Sequence, residues 1–132
     1  MAELQVNILT PAKVVLRTTA SQVQIPGALG YMGILPGHTK MVAELGVGDL
    51  TVDSNPKQTF FIAGGFVDVA DDKVTVLVDV AEKPGDIDRD RAEKAKQRAM
   101  DRLSQKAGVD VMRAQASLLR AEARLSIAGR HR

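Results

Sequence analysis

Ile87-Asp-Arg-Asp-Arg-Ala92 is where the chain changes character. Upstream, Val, Ile, Thr and Gly dominate. Downstream, Ala, Arg, Lys, Leu and Gln take over and no proline occurs. This pattern predicts a β module joined to a helical tail. Pro84-Gly85 marks the boundary, giving domains at residues 1–84 and 85–132. The acidic and basic residues of the junction suit two roles, capping a helix or holding an anionic ligand.

Working back from the junction, Val74, Val76, Val78 and Val80 share one face of a strand, and Phe66–Ala70 forms its hairpin partner across the acidic turn Asp71-Asp72-Lys73. Gln58–Ala63 reads as a strand that Gly64-Gly65 breaks or bulges. Leu50 and Val52 alternate with polar neighbours, as do Val23 and Ile25, and Leu4, Val6 and Ile8. Val14–Leu16 and Met41–Val47 supply further apolar segments. Many short strands at close spacing predict a sandwich of two small sheets over residues 1–84, with Phe60, Phe61 and Phe66 in strand-like core positions.

Gly27–His38 is the most punctuated stretch, with Gly27, Gly30, Gly33, Gly37 and Pro36 demanding tight turns. No Gly-Lys-Ser/Thr follows, which excludes a P-loop, and the glycine spacing excludes a dinucleotide fingerprint.

Working forward, Asp86 or Asp88 can cap a helix. Ala92, Ala95, Ala99 and Leu103 then form one narrow apolar stripe, with Gly108 as a stop. A second stripe runs Val111, Ala114, Leu118, Ala121 and Leu125, with Gly129 ending it. The two helices should pair antiparallel through an alanine seam that buries little area per residue, so the hairpin is expected to be weakly held and easily moved. The fold class is therefore α+β, an all-β sandwich followed by a helical hairpin.

Charge divides along the same boundary. Residues 1–85 carry six Lys/Arg and nine Asp/Glu, a balance of −3, whereas residues 86–132 carry twelve Lys/Arg and seven Asp/Glu, a balance of +5. A basic tail attracts an acidic protein surface, a nucleotide or nucleic acid. Cysteine is absent, and the two histidines, His38 and His131, are far apart, which excludes a thiolate or histidine metal site. No nucleophile motif is present. A nucleic-acid-binding module remains as an alternative, although a single Tyr and three Phe leave few rings for base stacking. No stretch approaches the length of a membrane helix, and the first residues lack the marks of a signal or transit peptide; a soluble chain made where it works is expected.

Four stretches together resemble one family. Gly30-Tyr-Met-Gly-Ile-Leu-Pro-Gly-His38 is similar to its loop Gly-Glu-hydrophobic-Gly-Ile-hydrophobic-Pro-Gly-His. Ala63–Val69 with Val74–Leu77 resembles its central hairpin, Ile87–Ala92 its Ile/Leu-Asp-x-x-Arg-Ala junction, and Arg120–Leu125 its last helix. The family is the epsilon subunit of F-type ATP synthases, called delta in mitochondria. The resemblance implies a sandwich of two five-stranded sheets that binds the gamma subunit and the c-ring, coupling rotation to synthesis in the alpha/beta catalytic head. It implies no catalysis by the chain itself and no obligatory cofactor. It also implies a hairpin that folds down or extends and then inhibits ATP hydrolysis, and a peripheral position on the cytoplasmic side of a bacterial inner membrane.

The same resemblance implies rotor contacts at Gly30, Tyr31, Met32, Gly33, Pro36, Gly37 and His38. Tyr31 departs from the family, which often has Glu there, so an aromatic contact replaces a charged one. ATP as a regulatory ligand would be held by Glu82, Asp88, Arg91, Arg120 and Arg124. Taken on the residues alone, Asp88 caps a helix, Arg91 pairs with Asp88 or Glu82, and Arg120 and Arg124 are solvated. Arg98, Arg102 and Lys106 on the first helix, with Arg113, Arg120 and Arg124 on the second, form the basic face expected to meet the catalytic head.

Overall fold

The computed structural model describes residues 2–105 and 110–130, with the side chain of Arg130 excepted. The chain divides into two compact units, Met1–Glu82 and Lys83–Arg132.

The first unit has eight strands: β1 (Leu4–Leu9), β2 (Val14–Ala20), β3 (Val23–Gly27), β4 (Gly30–Ile34), β5 (Met41–Leu45), β6 (Gly48–Val52), β7 (Gln58–Ala70) and β8 (Lys73–Glu82). β7 and β8 are long enough to serve two layers. Val67 and its neighbours in β7 pair with β5, while Gln58–Ile62 pair with β6. The opening half of β8 pairs in parallel with β1, which pairs with β2. One layer thus runs β2-β1-β8-β7-β5, and the other runs from the remaining halves of β8 and β7 through β6 and β3 to β4. Each layer has five strands when the shared strands count in both, and all eight belong to one hydrogen-bonded network. This is the β-sandwich that the alternation in the sequence anticipates.

Alternate residues turn inward. Leu4, Val6, Ile8, Val23, Ile25, Ile34, Leu50, Val52, Phe60, Ile62, Val67, Val74 and Val76 form the sandwich core. Val76 and Val78 are buried while Leu77 between them is half exposed, the period of two that a strand imposes.

The fold line lies at Gly64-Gly65. The strand does not break there. β7 stays paired with β8 on both sides, from Phe61 opposite Glu82 to Ala70 opposite Lys73. Its other neighbour changes from β6 to β5 at this point. Gly64 and Gly65 have φ of 72° and 144°, and a Cβ on Gly65 would collide with the backbone of Leu77 and Val78. Only glycine fits that approach.

Several expectations from sequence need correction. Phe60 and Phe61 are buried, but Phe66 is 54% exposed, because the alternation that turns Val67 inward turns Phe66 outward. The glycine-rich stretch is not loop throughout, since β4 within it pairs residue by residue with β3. Gly129 does not end the second helix, which extends to Arg130.

The second unit begins with a single 3-10 turn, Pro84–Asp86, and continues as α1 (Arg89–Ser104) and α2 (Val111–Arg130). Asp88 caps α1 by accepting the Arg91 N–H at 3.0 Å. Asp110 caps α2 in the same way through the Arg113 N–H. Gly108 and Lys106 lie outside the described residues. The helices pack on each other through Ala92 and Ala99 of α1 and Ala114 and Ala121 of α2, all buried. Val111 departs from the predicted stripe and is exposed, so the seam of α2 starts at Ala114. The Arg89 guanidinium reaches within 4.0 Å of where a Cβ on Gly129 would stand, which sets the start of α1 beside the end of α2. The pairing is antiparallel, and a cation sits where the α2 dipole is negative.

Gly65→Ala should lower the unfolding free energy by about 2–4 kcal/mol. Urea unfolding of the full chain reads this; an unchanged midpoint would show that the fold line tolerates a side chain.

Candidate functional site

The predicted rotor loop resolves into two places. Gly30, Tyr31, Met32 and Gly33 belong to β4, whereas Pro36, Gly37 and His38 form the turn after it. Ala28 and Leu29 make the hairpin tip before β4, and Leu29 is fully exposed. The tip leans on β5 through the Ala28 N–H, which donates to the Glu44 carbonyl at 2.9 Å.

Tyr31 is half exposed, and its phenol donates to Asp49 Oδ1 at 2.5 Å. Gly48 makes room for that ring: a Cβ there would lie 2.6 Å from the phenol oxygen. The ring is thus pinned beside a carboxylate on β6. Met32 is half-buried and packs against the edge of the core. Together Gly27–Met32 and Glu44 line an open groove of about 440 Å³.

At the other end of β4, the His38 N–H donates to the Leu35 carbonyl at 3.1 Å, closing a tight turn in which Gly37 has φ 86°. His38 Nδ1 lies 2.7 Å from the Thr39 carbonyl, so the ring is a turn residue.

One feature was not visible in the sequence. Val14, Leu77 and Phe66, on neighbouring strands, are each at least half exposed, with half-buried Leu9 between Val14 and Leu77. The register pairs Val14 with Leu9, Leu9 with Leu77, Leu77 with Phe66 and Phe66 with Glu44. The result is an apolar row across the outer face of one sheet, ending at the Glu44 strand that carries the hairpin tip. Val42, 71% exposed, lies two residues along the same strand as Glu44. A contiguous exposed apolar row marks a contact surface more readily than scattered residues do. The signal that could have found it is the apolar content of both faces of β7.

In the hairpin, Asp88 and Arg91 lie at the start of α1, both exposed, and Asp88 has one carboxylate oxygen engaged as the cap. Arg120 and Arg124 are half-buried on α2, and Arg120 Nη2 donates to Ser117 Oγ at 3.3 Å. With Arg89 level with Gly129, Arg124 and Arg120 lie roughly one and two helical turns further along the hairpin than Arg91. Glu82 closes β8 in the first unit. Arg98 and Arg102 are exposed at a spacing of one turn on α1, as Arg113 is on α2. Among the described residues no cluster of His, Cys, Asp and Glu could hold a metal.

This architecture matches known domains from end to end. Residues 3–84 match the family described as ATP synthase, delta/epsilon chain, beta-sandwich domain, and residues 86–129 match its long alpha-helix domain. The chain belongs to the ATP synthase delta/epsilon family.

Among its relatives, the ATP synthase epsilon chain of Nitratidesulfovibrio vulgaris is 47% identical over 128 residues, 96% of each chain. That of Desulfitobacterium hafniense is 42% identical over 123 residues, covering 92% of this chain and 93% of the relative. The fold recurs in the Euglena gracilis mitochondrial ATP synthase (OSCP/F1/c-ring), with a TM-score of 0.85 at 24% identity, over 99% of this chain and 83% of that one. It recurs also in the Tetrahymena thermophila mitochondrial central stalk/c-ring structure, with a TM-score of 0.71 at 17% identity, over 96% and 97%. Membership makes this a non-catalytic chain of an ATP synthase. These matches give the nucleic-acid alternative no support. No helix among the described residues is long and apolar enough to cross a membrane.

Asp88→Ala should remove the α1 cap and cost about 1 kcal/mol of helix stability, while Asp88→Asn keeps most of it. Helical circular dichroism of the full chain in urea checks this; coincident curves for wild type and Asp88→Ala would contradict it.

Proposed function

We propose that this chain is the rotor adapter of its ATP synthase, docking the sandwich on the gamma subunit and the c-ring while the basic hairpin regulates ATP hydrolysis in the alpha/beta head. The observation that carries the docking reading is the exposed apolar row from Val14 to Phe66, continued by Val42 and the Leu29 tip. An adapter between rotating parts needs a rigid body with an apolar surface. The sandwich supplies both, and leaves the pinned Tyr31 and the His38 turn at its ends. The complex holds the chain at the cytoplasmic side of a bacterial inner membrane, as a peripheral subunit.

The hairpin supports a regulatory reading through its chemistry. Apart from Ile127, the buried residues described in the two helices are alanines, which bury little area each, so an alternative partner competes with the α1–α2 contact. Arg113, Arg120 and Arg124 follow one another at spacings of seven and four on α2, one stripe of cations suited to acidic segments of the head. Arg120 and Arg124 also suit phosphate oxygens through their planar forks. ATP bound there, with Arg91 and Asp88 at the hairpin's base, would hold the hairpin folded and delay inhibition.

Two measurements follow. Calorimetric titration of the full chain with ATP should show one-to-one binding that Arg120→Ala or Arg124→Ala weakens roughly 10- to 100-fold; unchanged affinity in both variants rejects the nucleotide role. Separately, inhibition of ATP hydrolysis by the added chain should weaken as salt rises and be lost in the Arg113→Ala, Arg120→Ala, Arg124→Ala triple variant. Full inhibition by that variant assigns it to other residues.

A further inference from the structure

The turn between β7 and β8 is built with an expensive residue. Asp71 and Asp72 occupy it with φ of 50° and 60°, while Ala70 and Lys73 pair across it. Two consecutive left-handed residues make a type I′ hairpin turn, whose second position favours glycine. An aspartate there costs backbone energy that glycine would not.

The carboxylate has a use. Asp72 is half-buried, and its Oδ1 accepts the Gly37 N–H at 2.7 Å, across 35 residues of sequence. Its carbonyl accepts the Gln5 N–H of β1 at 2.8 Å. One residue therefore ties the β4–β5 turn to the β7–β8 hairpin and to β1. Gly37 needs the tie, because a glycine in a short surface turn explores more backbone states than any other residue.

We infer that Asp72 is a positioning residue that latches the Pro36–Gly37–His38 turn into one conformation before a partner arrives. The inference rests on the reading of that turn as a rotor contact. A latched loop pays its ordering entropy on folding, so less is lost on docking. A charged acceptor gives the latch more strength than a neutral one. The position thus exchanges turn stability for a fixed docking element.

The exchange makes the inference separable from a purely structural role. Asp72→Gly should change the thermal stability of the full chain little, since relief of the left-handed turn offsets the lost Gly37 bond. The same variant should speed amide exchange at Gly37 and weaken binding of the labelled full chain to an assembly of alpha, beta and gamma subunits with the c-ring roughly 3- to 10-fold. Asp72→Asn, which keeps an acceptor oxygen and tolerates the left-handed backbone, should restore most of both. Unchanged Gly37 exchange in Asp72→Gly overturns the latch. Faster exchange with unchanged affinity, where the wild type binds, overturns its role in docking and leaves the adapter reading standing. Failure of the wild-type chain to bind the assembly overturns the adapter reading, and the docking role of Asp72 with it.

Discussion

Everything in the sandwich depends on a close approach between Gly65 of β7 and the backbone of Leu77 and Val78 on β8. With no Cβ at that point, β7 keeps its ladder to β8 while its other edge passes from β6 to β5. Two layers therefore share two strands, and Phe60 and Ile62 on one side of the fold line enter the same core as Val67 and Val69 on the other. β5 and β6 are divided at Gly46 and Val47, level with the same line on β7. The surfaces of functional interest inherit their positions from this arrangement. The Leu29 tip is hung on β5 near the fold line, whereas the His38 turn meets the β7–β8 hairpin at the far end of the same sheet.

Much of this was legible from residue types. The alternation in β1, β3, β6 and β8 is regular enough to assign both strand and inward face, and Asp88 is placed where a cap must be. What failed had physical reasons. Phe66 reads as core because an aromatic side chain usually is, yet its parity relative to Val67 sends it outward. β4 was hidden because glycines signal turns, whereas its strand state comes from hydrogen bonds to β3. Gly129 reads as a stop, but α2 continues through it to Arg130.

The candidate site was less legible than the fold, because its decisive contacts are long-range. The partners of Tyr31 and Gly37 are Asp49 and Asp72, and no spacing rule in the sequence connects either pair. The apolar row needs the register of four strands before Val14, Leu9, Leu77 and Phe66 become neighbours. The hairpin was easier, since Arg113, Arg120 and Arg124 share a face by helical spacing alone. Arg89 was the exception: its place over the end of α2 depends on how the helices pair.

The two units differ in chemistry, and the proposed roles follow that division. The sandwich has a surplus of acidic residues and carries an apolar outer row; the hairpin is basic, and its buried residues are mostly alanine. The first suits permanent docking and the second a reversible contact. The most direct test of that division is photo-cross-linking in the assembled ATP synthase. A photoreactive amino acid is placed in turn at position 29, 42 or 66 and, on the polar recess lined by Thr18–Ser21 and Asp53–Asn55, at position 19. Cross-links to gamma or c subunits from positions 29, 42 and 66, with none from 19, are the predicted result. Cross-links from position 19 alone would place the rotor at the far end of β1 and β2, away from the apolar row, and contradict the assignment of that row.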